Sequence, residues 1–307
     1  MAKTPPRAAP WFPFPRDPAR GELFRSGWNP SRLRLLGRED RDELRALALE
    51  DPVANVFILT QLDDAVTPWP LSGARIYGTF DAGKLTGACW AGANIVPLNF
   101  DPAFAAQLAD ELAATGRRYA SVFGPAGATL AIGGELQARG HLVKEIRDCQ
   151  PLMTISAETE VTPDPRVRMS HRDDFSVLLP ASVAMFEEEV GYSPLTGGDF
   201  YSRRVAYLIN QGHSMSFISP EGTVVFKAEI GALAASVAQI QGVWLNPTYR
   251  GQGLSAAFMA GVVHLARELA PVVSLYVNDY NTRALKTYQR VGFAQQGTFA
   301  TVLFTAN

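Results

Sequence analysis

Between Gln239 and Phe293 the chain runs from an apolar, β-branched stretch, QIQGVWL, through NPTYRGQGLS into AAFMAGVVHLAREL. Gly251 and Gly253 let the backbone turn its N–H groups inward with no Cβ in the way, and the loop opens onto a helix N-terminus whose dipole favours anions. The combination reads as a phosphate-binding turn. Downstream, VVSLYVNDYN predicts a second buried strand, and TRALKTYQRVGF predicts a short helix that carries Tyr288 and ends at Gly292. The order is strand, anion loop, helix, strand, helix.

Two folds use such a loop. Gly251, Gly253 and Ala256 satisfy the GxGxxG/A pattern of dinucleotide-binding folds, with Asp279 near where an acidic ribose ligand belongs. That fold needs its first glycine at the strand end, whereas Asn246 to Arg250, including Pro247, intervene here. It also needs a large doubly wound sheet, and only 28 residues of the 307 follow Asp279. The dinucleotide reading fails on room.

The second fold fits residue by residue. Arg250, Gly251, Gln252, Gly253, Leu254 and Ser255 follow the pattern Q/RxxGxG/A, with serine where the last small residue is usually glycine or alanine. Asn281, Ala284, Tyr288, Gly292 and Phe293 follow NxxAxxxYxxxGF. Together the two segments resemble the GNAT superfamily of acyl-CoA-dependent N-acyltransferases. The resemblance implies an α/β (α+β) fold whose central sheet is mixed, mostly antiparallel and flanked by helices. It also implies acetyl-CoA or another acyl-CoA as co-substrate, no metal, and direct transfer to a primary amine in a ternary complex.

Roles follow from the same resemblance. Backbone groups of Val243, Trp244 and Leu245 would take the pantetheine arm and polarise the thioester, and Arg250, Gly251, Gln252, Gly253, Leu254, Ser255 and Ala256 would take the pyrophosphate. Asn281 would cap its helix and bond the cofactor. Tyr288 would donate a proton to the departing sulfur, although a buried tyrosine can also use its hydroxyl structurally. For the base, Glu229 in VVFKAEIGA either points into the cleft or pairs with Lys227, which shares its face at period two. Glu187, Glu188 and Glu189, just before GYSP, either line the acceptor mouth or form a solvated face. Tyr276 stands where some relatives carry a catalytic glutamate, on the acceptor side. No pairing of Cys89 or Cys149 with a histidine suggests an acyl-enzyme.

A chain of 307 residues has room for two modest domains. Residues 1–30 hold seven of the 21 prolines, with Trp11, Phe12 and Phe14 among them, and read as an irregular arm. From 31 to 150, REDRDELRALALE, RIYGTF, TGACWAGANIVPL, DPAFAAQLADELAAT, YASVFG and ELQARGHLV repeat the element order of the C-terminal half. Asp101 is placed as an N-cap with Pro102 in the first turn. This copy has LNFDPAF where the other has RGQGLS, so it reads as a degenerate GNAT-like domain without a phosphate loop, or else as an unrelated α/β domain. Residues 151–165 form a linker edge, and 166–307 the catalytic domain.

A net charge of −2 gives no basic field for nucleic acid or anionic lipid. No apolar run is long enough to span a membrane and no signal peptide is evident, and two cysteines without metal spacing read as reduced thiols, so a cytoplasmic protein is expected. The four histidines are scattered, which suggests no metal site. The acceptor, a small molecule or peptide, is not legible, nor is the oligomeric state. Two rivals remain: a non-catalytic acyl-CoA-binding sensor or regulatory module, and a scaffold of decayed domains.

Overall fold

A computed structural model describes residues 32–63 and 73–305. The proline-rich arm expected at 1–30 lies outside the described residues. The described residues divide into two compact units, one formed by those up to Gln150 together with Thr298 onward, the other by Pro151–Gly297.

The first unit contains β1 (Leu33–Leu35), α1 (Arg41–Ala48), α2 (Val56–Asp63), β2 (Arg75–Asp81), β3 (Lys84–Ala91), β4 (Asn94–Leu98), α3 (Ala105–Ala114), β5 (Ser121–Pro125) and α4 (Ala126–Ala138). Strands β1 to β4 pair antiparallel in chain order, and β4 pairs parallel to β5. The neighbour of β5 on its other side comes from the end of the chain: in β12 (Ala294–Phe304), Phe299 to Leu303 pair antiparallel with Ser121 to Pro125. Apolar residues at helical spacing, Leu108, Leu112, Ile132 and Leu136, pack with Ile95, Val122 and Val302. Gly133 admits the closest approach, because a Cβ there would lie 2.6 Å from Val302 Cγ2.

The second unit contains β7 (Arg168–Met169), α5 (Phe175–Val190), α6 (Phe200–Asn210), β8 (Ser214–Ile218), β9 (Val224–Ala234), β10 (Val237–Leu245), α7 (Ser255–Arg267), β11 (Val272–Tyr276) and α8 (Thr282–Val291). Its strands run β7-β8-β9-β10-β11, followed by the second half of β6 (Val143–Ile155), whose Leu152 to Ile155 pair antiparallel with β11. All pairings are antiparallel except β10 with β11. The β9/β10 hairpin turns on Ala235 and Ser236, both at positive φ, the conformation a two-residue turn needs to match strand twist. Helix α7 buries Phe258, Met259, Val262, Val263 and Ala266 against the sheet, so its N-terminus is rigidly placed. The mixed, mostly antiparallel sheet with flanking helices is the one the motifs imply.

Candidate active site

The site begins where β10 and β11 part. Their parallel ladder holds for Val237↔Val272, Ala238↔Val273 and Gln239↔Ser274, then stops, although β10 continues to Leu245 and β11 to Tyr276. Beyond Gln239 the backbone of β10 therefore has no partner from β11. On its other edge β10 carries a bulge: Gln241 faces Glu229 and Trp244 faces Lys227, so Gly242 and Val243 together oppose Ala228. Gly242 sits at φ +59°, where a side chain is disfavoured.

Past Leu245 the chain makes a short 3₁₀ turn over Pro247–Tyr249, capped by Asn246, whose side chain accepts from Thr248 N at 3.1 Å and donates to Val224 O at 3.1 Å. The glycine loop follows. Gly251 and Gly253 have φ of +77° and +75°, and the space beside each is open. Helix α7 starts at Ser255 without a side-chain cap, which leaves its first N–H groups for an anion. An open cradle, positive-φ glycines and an uncapped helix start suit a pyrophosphate.

Arg250 has a different task from its neighbours. Its Nε donates to Leu245 O at 2.9 Å, while Nη1 and Nη2 grip Glu188 Oε1 and Oε2 at 2.6 and 2.7 Å. Trp244 Nε1 also donates to Glu188 Oε2, at 3.2 Å. The Arg250 guanidinium, seconded by Trp244, holds the Glu188 carboxyl below the usual carboxylate range. Glu188, expected at the acceptor mouth, thus fastens the end of α5 to β10 and to the start of the glycine loop. Gln252 donates to Thr248 O at 3.2 Å, and Leu254 packs on the core.

Glu229 is 8% exposed and Lys227 only 1%, and Lys227 Nζ lies 2.7 Å from Glu229 Oε1. Of the two arrangements the sequence left open, the structure shows an ion pair along one strand. Glu187 is exposed on α5. Tyr276 pairs with Leu152 at the end of β11. Asn281 caps α8, its Oδ1 accepting from Ala284 N at 3.2 Å. Tyr288 is buried on α8, its ring 5.9 Å from that of Phe293. Burial, with the charge of Glu189 behind it, pushes its phenol well above the ordinary range, so it keeps its proton at neutral pH.

The sequence missed the Glu188–Arg250 pair and the engagement of Lys227 with the bulge, because their partners are far apart in the chain or on backbone. Among the described residues no cluster of three or more His, Cys, Asp or Glu is suited to a metal, and no helix is long and apolar enough to cross a membrane.

Comparison with known proteins gives the second unit a family. Residues 199–293 match the Acetyltransferase (GNAT) family, so the second unit carries a GNAT domain. Residues 74–178 match a domain of unknown function, DUF4081. No curated protein matches the sequence. Among solved structures, the chain resembles a GNAT-family acetyltransferase from Colwellia psychrerythraea at 11% identity, over 89% of this chain and 99% of that one, with a TM-score of 0.55. A GCN5-related N-acetyltransferase from Sphaerobacter thermophilus matches at 15% identity over 91% and 97%, with a TM-score of 0.56. A tandem GNAT protein from the clavulanic acid biosynthesis pathway matches at 12% identity over 90% and 98%, with a TM-score of 0.50. At these identities the likeness is one of fold: two tandem GNAT-like domains.

Proposed function

We propose that the second unit transfers an acetyl group, or another short acyl group, from acyl-CoA to a primary amine by direct attack in a ternary complex. The observation that carries this reading is the parting of β10 and β11 beside the open Gly251–Gly253 loop at an uncapped helix start. The amine, once neutral, attacks the thioester carbonyl; the C–N bond forms, the C–S bond breaks, and the nitrogen proton ends on sulfur. Tyr288 serves as the hydrogen-bond donor to sulfur as negative charge develops there. By stoichiometry the net proton on sulfur comes from the amine nitrogen. The acceptor is a small molecule or peptide amine, with no nucleic acid and no membrane partner, and two free cysteines suit a cytoplasmic setting.

A second reading, an acyl-CoA sensor without turnover, draws support from the engagement of the Glu229 carboxylate by Lys227 and from Tyr276 at a position where relatives can place a glutamate. Calorimetric titration of acetyl-CoA into the wild type and Gly253→Glu, followed by thiol release over an amine panel, separates the readings. The enzyme predicts one saturable site, lost in the variant, and thiol release with some amine. Binding without release on any amine would favour the sensor, and no binding by the wild type would leave a scaffold.

A further inference from the structure

Lys227 is almost wholly buried, and its ammonium makes three contacts: Glu229 Oε1 at 2.7 Å, Gly242 O at 3.1 Å and Met185 Sδ at 3.6 Å. A buried ion pair is a poor source of stability, since desolvation offsets much of the attraction, so its placement calls for a local reason. Gly242 supplies one. It lies in the bulge of β10, and a Cβ there would stand 3.1 Å from Glu229 Oε2 and 3.3 Å from Lys227 Nζ. A side chain there would crowd the pair, and the positive φ of Gly242 favours glycine as well.

The peptide plane links the Gly242 carbonyl to the Val243 N–H, which points the opposite way across a trans bond. A cation on the carbonyl therefore fixes the direction of the N–H, and by drawing electrons toward oxygen it makes that N–H a stronger donor. Val243 lies beyond Gln239, the last residue of β10 that pairs with β11.

We infer that Lys227 and Glu229 are positioning residues that hold the Gly242–Val243 peptide so that the Val243 N–H polarises the carbonyl of a bound acyl-thioester. Glu229 acts through Lys227, as its counter-charge, and takes no proton from the amine. The inference rests on the acyl-CoA reading of the site. It concerns a step after binding, because the pyrophosphate loop shares no residue with the pair.

The test is infrared difference spectroscopy of carbonyl-¹³C acetyl-CoA bound to the full chain, with calorimetric affinity measured in parallel. The wild type is expected to lower the thioester carbonyl stretch relative to free acetyl-CoA. Lys227→Met should lose most of that shift while the Kd changes by less than about threefold, and any turnover should fall about tenfold or more. Because Lys227→Met strands a buried carboxylate, Lys227→Met/Glu229→Gln removes both charges and guards against misfolding, with a thermal melt as the check. Retention of the wild-type shift in the folded double variant would overturn the inference, as would a wild type that binds acetyl-CoA without any shift. A wild type that binds no acetyl-CoA would overturn the acyl-CoA reading itself, and the inference with it.

Discussion

The strand pairs β4/β5 and β10/β11 share a topology and differ in what stands where they part. The β4/β5 ladder holds only for Asn94↔Ser121 and Ile95↔Val122. Beyond it comes Pro97, which has no N–H to offer, and its ring packs against Gly124, where a Cβ would lie 3.3 Å from Pro97 Cδ. The following helical segment is already served: Asp101 Oδ1 accepts from Ala103 N at 2.9 Å, with Pro102 in the first turn. In β10/β11 the corresponding stretch holds Gly242, then a turn capped by Asn246 with Pro247 in it, and then a loop with Gly251 and Gly253 at positive φ before α7. What separates the two stretches is the pair of positive-φ glycines ahead of α7, since an Asx-capped turn carrying a proline stands in both.

The sharpest probe of the chemistry on the open side is Tyr288→Phe, which removes one hydroxyl from a buried ring. Turnover should drop about 100-fold, in the range for loss of a positioned hydrogen-bond donor to developing charge, while acetyl-CoA affinity stays within about twofold. Thiol release and calorimetry on the same preparation check it. Unchanged turnover would reduce Tyr288 to a packing residue and leave β10/β11 distinguished only by ligand binding.

Glu188→Gln is expected to act more weakly. It keeps the shape of the side chain but removes the charge that Arg250 grips, so the cofactor loop loses its tether to α5, and acetyl-CoA binding should weaken about three- to tenfold. The pH dependence has a definite sign. Arg250 depresses the folded pKa of Glu188, so the tether is complete above the ordinary glutamate range and is lost as pH falls through the depressed value. Wild-type affinity should therefore decline in acid where Glu188→Gln stays flat. Both partners are partly exposed, so salt should weaken the tether as well. Equal pH profiles in the two proteins would show that the pair merely decorates the surface.

Much of the open site was legible because its parts are local. Gly251, Gly253 and the start of α7 are consecutive, and Asn281, Tyr288 and Gly292 belong to one helix and its ends, so two short motifs resembling the GNAT pattern picked them out. The contacts that complete the site join distant stretches. Glu188 and Arg250 are separated by 62 residues, and nothing in EEE distinguishes the central glutamate from its neighbours. Lys227 and Glu229 showed their shared face by period two, but the carbonyl they converge on belongs to the next strand and depends on a bulge. In the first unit, LNFDPAF disclosed missing glycines, whereas the packing of Pro97 on Gly124 depends on register. The return of residues 298–303 to pair with β5 is likewise a long-range strand choice that an alternating pattern cannot reveal.

The smallest expected effect bears most directly on the comparison. Asp101→Ala removes the N-cap of the segment leading into α3 and should cost about 0.5–1 kcal/mol, lowering Tm by about 2 °C. Asp101→Asn keeps the cap and should leave Tm unchanged, yet it removes the negative charge from the helix start. If that charge alone kept phosphate out, the Asn variant would acquire a second, weak acetyl-CoA binding event in calorimetry. We expect the stoichiometry to stay at one, because Asn99 to Phe104 lack the paired glycines needed to turn successive N–H groups onto one anion, and Pro97 offers no N–H where β4 and β5 part. A second binding event would mean that the closed pair is one side chain away from the open one, and that the charge of Asp101, not the shape of the loop, separates the two halves of the molecule.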